Sequence, residues 1–248
     1  EQVFNSITGD LNPKYKDFVT ENFKTATDVG FLNLYITEQM KKIVAENTTD
    51  DMTDIQKVKA LHDWVCSNTV YNAGNQEIAR TYNDAAILLN DTTVCEGYAR
   101  TLNLLLNAAG LESYYVHSTT HAWNIVKLGG HYFHVDSTWD DGDTITYNYF
   151  LKSDSEISAE TKSHAKWTLF QPSSLHSFQG TALPECTYQM GDMNTDGSIS
   201  ISDLVMMNQY LLGKSQLSAD DYILSDLNFD GRTDAFDMVK MRKLLTEQ

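Results

Sequence analysis

The stretch NDTTVCEGYARTLNLLLNAAGLESYYV, residues 90–116, followed by HAWNIVKLGGHYFHVDSTWDD, residues 121–141, decides how the larger part of this chain folds. The first reads as a turn, then a helix with Leu102, Leu104, Leu105 and Leu106 at its apolar positions, then a stop at Gly110 and a short strand. Cys95 therefore falls at or near a helix N-terminus. The second stretch reads as two apolar-rich strands joined at Gly129-Gly130, a dipeptide that favours a tight hairpin.

Working outward, residues 12–46 and 53–68 have helical periodicity; the second run sets Ile55, Val58, Leu61, Trp64 and Val65 on one face. Beyond the hairpin, residues 152–190 are less periodic, and Pro172 and Pro184 mark a loop-rich finish and a linker. A chain of 248 residues with 42% hydrophobic content is long enough for two domains, expected at 1–185 and 186–248. Its formal charge of −16 repels nucleic acid and anionic membranes and suits a protein that binds cations. Neither nucleic-acid binding nor membrane insertion is expected, since no apolar run is long enough to span a bilayer. The opening EQVFNSITGD has neither a basic start nor an apolar stretch, so an export signal is expected to have been removed or omitted. Three cysteines are too few for a disulfide framework. The one conceivable bridge is Cys66 with Cys186, although the apolar flank HDWVCSN points instead to a buried free thiol.

At the C-terminal end the sequence repeats itself at an offset of 34 residues, which lays DMNTDGSISISDLVMM over DLNFDGRTDAFDMVKM. Calcium needs several oxygens from one short segment, and a twelve-residue loop supplies them from positions one, three, five, seven, nine and twelve, with a sharp turn at six. The first loop offers Asp192, Asn194, Asp196, the Ser198 carbonyl, Ser200 and Asp203, with Gly197 in the turn. The second offers Asp226, Asn228, Asp230, the Arg232 carbonyl, Asp234 and Asp237 around Gly231. Each ends in Asp rather than the longer Glu, and each reads as a loop with only an exiting helix.

These motifs resemble the dockerin module of cellulosomal proteins over about residues 190–245. The resemblance implies two calcium ions, a small all-α fold, and docking into a cohesin domain of a scaffoldin. Across the repeat, Leu204 and Met238, Val205 and Val239, Met207 and Met241, and Leu211 and Leu245 are expected to point inward. The outward, cohesin-facing positions differ between the halves: Ile201, Ser202, Asn208 and Gln209 in one, Ala235, Phe236, Arg242 and Lys243 in the other. That asymmetry predicts one dominant docking orientation.

A thiol becomes a strong nucleophile when a helix N-terminus and an imidazolium stabilise its thiolate, and the imidazole in turn needs a carboxylate to orient it. Cys95, His121 and Asp136 are the candidates. The motifs VCEGYAR, HAWNIV and FHVDSTWDD resemble the transglutaminase-like superfamily, with the similarity reaching from about residue 57 to 167. The resemblance implies an α+β, papain-like core with a helical layer and an antiparallel sheet. It makes Cys95 the nucleophile, His121 the general base and acid, and Asp136 the orienting carboxylate. Tyr82 and Trp123 are candidates for the oxyanion region or cleft, each with packing as a competing role; His131 and His134 read as structural or solvent-facing, and His164, in an H-x-x-W spacing with Trp167, reads as a packing residue. Together the two resemblances imply a secreted, extracellular or cell-surface cellulosomal thiol enzyme. Its expected activity is that of a cysteine peptidase on a peptide or protein substrate. A crosslinking transglutaminase, a non-catalytic binding module and a dockerin-borne polysaccharide-degrading enzyme are the alternatives.

Overall fold

The structure of the protein, a computed structural model, describes residues 29–72, 86–89, 92–160, 162–164, 167–169 and 184–247. Helix α1, Val29–Asn47, buries Ile36, Met40 and Ile43, a helical stripe. The expected start of this helix near residue 12 lies outside the described residues. Helix α2, Asp54–Ser67, starts where it does because of a reciprocal cap. The Gln56 N–H donates to the Thr53 hydroxyl and the Thr53 N–H donates to Gln56 Oε1 at 2.9 Å.

Strands β1 (Val70–Tyr71) and β2 (Thr92–Thr93) pair in parallel, with the short helix α3, Ala86–Leu89, between them in sequence. Helix α4, Cys95–Ala108, follows the extended Val94. It stops as expected at Gly110, whose φ of 82° closes the helix and turns the chain toward the sheet. Strands β3 (Ser113–His117), β4 (Ala122–Leu128) and β5 (His131–Val135) follow. Gly129-Gly130 makes the predicted hairpin between β4 and β5, pairing Leu128 with His131 and Asn124 with Val135. Helix α5 (Ser137–Asp140), strand β6 (Phe150–Lys152), helix α6 (Asp154–Glu160), a 3-10 turn at Lys162–His164 and strand β7 (Thr168–Leu169) complete the body. The sheet is antiparallel in the order β6-β5-β4-β3-β7.

Helix α4 lies against one face of the sheet, where Tyr98, Leu102, Leu105 and Leu106 share an apolar cluster with Val126, Leu128, Phe133 and Val135. The other face carries a second cluster of Val116, Trp123, Ile125 and Cys186, backed by Trp167. Both faces of β4 are therefore covered, which is why AWNIVKL reads as nearly continuous apolar sequence rather than a strict alternation. The Asn124 side chain donates to the Ala99 carbonyl at 2.9 Å and ties strand to helix.

The C-terminal module has three helices, α7 (Ile201–Leu211), α8 (Ala219–Ser225) and α9 (Ala235–Thr246). The expectation of loops with only exiting helices needs correction at the second loop, which α8 enters directly. Ser218 and Asp221 form a capping box there, a signal present in the sequence. Met207 and Met241 are buried as expected, but Val205 and Val239 are 46% and 62% exposed. Each valine follows a half-buried residue around the helix and falls on the outer face. All three cysteines are free: Cys66 donates to the Ser137 carbonyl at 3.3 Å, whereas Cys186 packs in the cluster on the other sheet face. The module is not isolated from the body. Met190, Met193, Met207, Leu224, Leu227 and Met241 join the same apolar cluster as α1, α2 and α4.

Candidate active site and calcium loops

The first intrahelical bonds of α4 run from the Gly97 and Tyr98 N–H groups to the Val94 carbonyl. The N–H groups of Cys95 and Glu96 thus stand at the mouth of the helix, where no intrahelical acceptor reaches them. Cys95 is half-buried, and its thiol lies near enough to the His121 ring to help raise the imidazole's pKa. His121 precedes β4 and Asp136 follows β5, so the open end of the hairpin brings them together: His121 Nε2 lies 2.5 Å from Asp136 Oδ2. With Nε2 committed to the carboxylate, Nδ1 is the ring nitrogen left to face the thiol.

Asp136 is fully buried, and each of its oxygens has a distinct duty. Oδ1 accepts the backbone N–H groups of Thr138 and Trp139 at 3.0 and 3.2 Å, which fixes the carboxylate as the cap of α5. Oδ2 accepts from His121 and also from His164 Nε2 at 2.8 Å. Burial alone would raise the Asp136 carboxyl. The charge of His121 and the hydrogen bonds from both histidines outweigh it, holding this carboxyl below its usual range. Burial would likewise lower His121, but the charge of Asp136, its hydrogen bond and the contact with Cys95 raise the imidazole to about 9. The arrangement keeps the imidazolium charged beside the thiol at neutral pH.

Around this trio the aromatic residues divide by exposure. Trp123, 1% exposed, stacks nearly parallel on His121 with ring centres 5.7 Å apart. It backs the imidazole from inside the fold, the packing role weighed against the cleft. Trp139, 41% exposed, meets the same ring edge-on and flanks the open side. Tyr82, the other cleft candidate, lies outside the described residues.

The Trp123 indole N–H donates to His134 Nδ1 at 2.9 Å. An indole only donates, so Nδ1 must accept, and the His134 proton sits on Nε2, which donates to Asp154 Oδ1 at 2.8 Å. Burial lowers the His134 pKa despite Asp154, consistent with a neutral ring. Asp154 Oδ2 accepts the Cys186 backbone N–H at 3.2 Å. His134, Asp154 and Cys186 cluster closely enough to hold a metal, as do His121, Asp136 and His164. In both clusters, however, hydrogen bonds already engage the nitrogens and oxygens that would have to ligate, and at His134 the donating indole fixes the proton on the nitrogen concerned. His164 is the site residue that sequence reasoning assigned to packing alone. The signal that could have found it, an H-x-x-W spacing to Trp167, says nothing about Asp136.

The two acidic loops fold alike. Asp192 accepts the N–H groups of Asp196 and Gly197 at 3.1 and 2.8 Å, and Asp226 accepts those of Asp230 and Gly231 at the same two distances. Asp203 and Asp237 each reach back to the loop start and to the N–H of residue 200 or 234. These bonds curl each loop around its carboxylates. Burial, then the negative charges of Asp237 and Asp230, raise Asp226 to about 6. An all-oxygen donor set of this charge and curvature fits a hard divalent cation such as calcium.

Residues 41–137 match the transglutaminase-like superfamily and residues 190–246 match the dockerin type I domain. The chain carries both. Over 211 residues it is 26% identical to kyphoscoliosis peptidase of Homo sapiens, covering 73% of this chain and 31% of that protein. Over 223 residues it is 24% identical to kyphoscoliosis peptidase of Mus musculus, covering 78% of this chain and 33% of the relative. The chain spans about a third of the length of the curated relatives it matches. A solved structure of a TGase is 16% identical, with a TM-score of 0.37 over 56% of this chain and 41% of that one. Dockerin type I domains bind calcium.

Proposed function

We propose that the chain is a secreted thiol hydrolase that cleaves a peptide or amide bond through a Cys95 thioester and is tethered to a scaffold by its dockerin. The boundary is taken at 185/186. The observation that carries the reading is Cys95 at the mouth of α4 together with His121, whose imidazole the buried Asp136 holds in place at 2.5 Å. The Cys95 thiolate attacks the substrate carbonyl carbon and forms a C–S bond while the C–N bond breaks. His121 gives its proton to the departing amine. Water then attacks the thioester, His121 takes up the water's proton, and the C–S bond breaks to release the acid and restore the thiolate–imidazolium pair. The N–H groups at the start of α4 are suited to stabilise the oxyanion in both steps.

In the dockerin, Asp192, Asn194, Asp196, Ser198, Ser200 and Asp203 would hold one calcium ion. Asp226, Asn228, Asp230, Arg232, Asp234 and Asp237 would hold a second. The exposed faces of α7 and α9, carrying Ile201, Ser202, Asn208 and Gln209 on one and Ala235, Phe236, Arg242 and Lys243 on the other, are the cohesin-binding surfaces. The test is labelling of native protein with a peptide-based thiol electrophile, followed by mass mapping. Cys95 is expected to react well ahead of buried Cys66 and Cys186; equal rates for the three would remove the enzyme reading. Supplying a primary amine with a glutamine-containing acceptor protein separates outcomes: free acid marks hydrolysis, an isopeptide product marks crosslinking.

A further inference from the structure

The two calcium loops share their internal hydrogen bonds but not their surroundings. At the fourth position both loops take the left-handed backbone, Thr195 with φ 54° and Phe229 with φ 62°. A bulky residue is costly in that conformation and persists where surrounding contacts hold it. Phe229 has those contacts: its ring meets Phe150 edge-on at 4.9 Å and Tyr147 at 5.9 Å, both from the body. The sixth position differs in the same sense. A side chain at Gly197 would meet nothing within 4 Å, whereas one at Gly231 would strike Gln56 of α2 at 2.6 Å. Gln56 Nε2 donates to the Asp230 carbonyl at 2.7 Å, while its Oε1 caps α2. One side chain thus serves both the start of a body helix and the second loop.

The helix that enters the second loop is also held. Asp220 accepts the Gly130 N–H at 3.2 Å at the β4–β5 hairpin, and a Cβ on Gly129 would come within 2.7 Å of Ile223. The His131 ring lies 3.9 Å from that of Tyr188. In the second loop the body-contacting residues, Phe229, Asp230 and Gly231, stand among the ligands, so the conformation that binds the ion is the one that meets the body.

We propose that the second calcium loop is an intramolecular docking surface, so that calcium held there stabilises the transglutaminase-like body, while calcium in the first loop does not. The proposal rests on the calcium reading of the loops given above and not on the thiol chemistry. Because an ion that binds only the formed loop favours every contact that loop makes, occupancy and docking reinforce each other.

All four tryptophans, Trp64, Trp123, Trp139 and Trp167, lie before the module, so tryptophan fluorescence reports the body alone. In thermal unfolding of the full chain, calcium chloride is expected to raise the tryptophan midpoint by about 5 °C over chelator. Asp226→Ala should abolish most of that shift and Asp192→Ala should leave most of it. Gln56→Glu keeps an acceptor for the α2 cap but sets an oxygen against the Asp230 carbonyl; it should lose the shift while calorimetry still finds calcium bound to the second loop. Calcium binding without a tryptophan shift, equal effects of the two Asp→Ala variants, or a full shift in Gln56→Glu would each overturn docking. Absence of calcium binding by calorimetry would overturn it together with the calcium reading beneath it.

Discussion

The thiol site and the calcium loops both concentrate charge in places shielded from water, and they do it in opposite ways. Each loop gathers its ligands from twelve consecutive residues, so their spacing along the chain is nearly their geometry. The thiol site draws Cys95 from a helix start, His121 and Asp136 from beside the two strands at the open end of a hairpin, and His164 from a turn beyond helix α6. In the loops like charges accumulate. In the thiol site each charge finds an opposite partner within the protein, and Asp136 alone serves two histidines and two backbone N–H groups. A distributed site of this kind should fail as a unit, whereas a local loop should fail without disturbing its twin.

The most severe break is Cys95→Ala, expected to abolish turnover with the fold intact, as circular dichroism would verify. His121→Ala should lower kcat/KM by about 100- to 10,000-fold, the usual worth of a general acid–base. The double variant with Asp136→Ala should be scarcely worse than His121→Ala alone. Losses that multiply would mean that the groups act separately.

The coupling can be sharpened by pH. Asp136 stabilises the His121 imidazolium, so the proton is kept through neutral pH and lost as pH rises through about 9. Activity should therefore fall along a limb near 9. Asp136→Asn, which removes the negative charge, should move that limb down toward or below the ordinary histidine value of about 6.5. A limb that stays put would show that Asp136 does not set the imidazole's charge.

His164→Phe is a milder test. It keeps an aromatic ring beside His121 and Trp123 but removes one donor to Asp136, and should cost about tenfold in kcat/KM, the scale of a lost hydrogen bond to a charged group. His164→Gln, which can still donate, should recover much of the loss; a variant as poor as phenylalanine would mean that shape rather than the hydrogen bond matters.

The smallest effects are expected on the dockerin faces. Val205 and Val239 give both an exposed apolar centre, so the halves differ less than their sequences suggest. The difference that remains is charge at Arg242 and Lys243 against the neutral Asn208 and Gln209. Glutamate at both members of one pair should weaken cohesin binding about tenfold more than glutamate at the other pair, measured by calorimetry. Equal losses would point to two docking orientations.

How much was legible follows the same division. Helix α2 could be read from Thr53 and Gln56, the end of α4 from Gly110, and the hairpin from Gly129-Gly130, because capping and turn chemistry act over three or four residues. The capping box at Ser218 and Asp221 was equally local. The outward aim of Val205 and Val239 was harder to read, since both belong to an apolar run and only packing decides which of its members turns inward.

The sequence by itself determined the two repeated acidic loops, the order of Cys95, His121 and Asp136, and an α+β body, because local hydrogen bonding, periodicity and motif spacing act along the chain. Tertiary structure alone decided that His164 shares the Asp136 carboxylate, that Trp123 backs the imidazole while anchored to His134, and that the second loop rests on Gln56 and Phe150 whereas its twin's turn glycine has no such neighbour. The physical reason is distance along the chain. Gln56 and Asp230 are 174 residues apart and meet only because two apolar surfaces, neither of which can name its partner in sequence, are buried against each other.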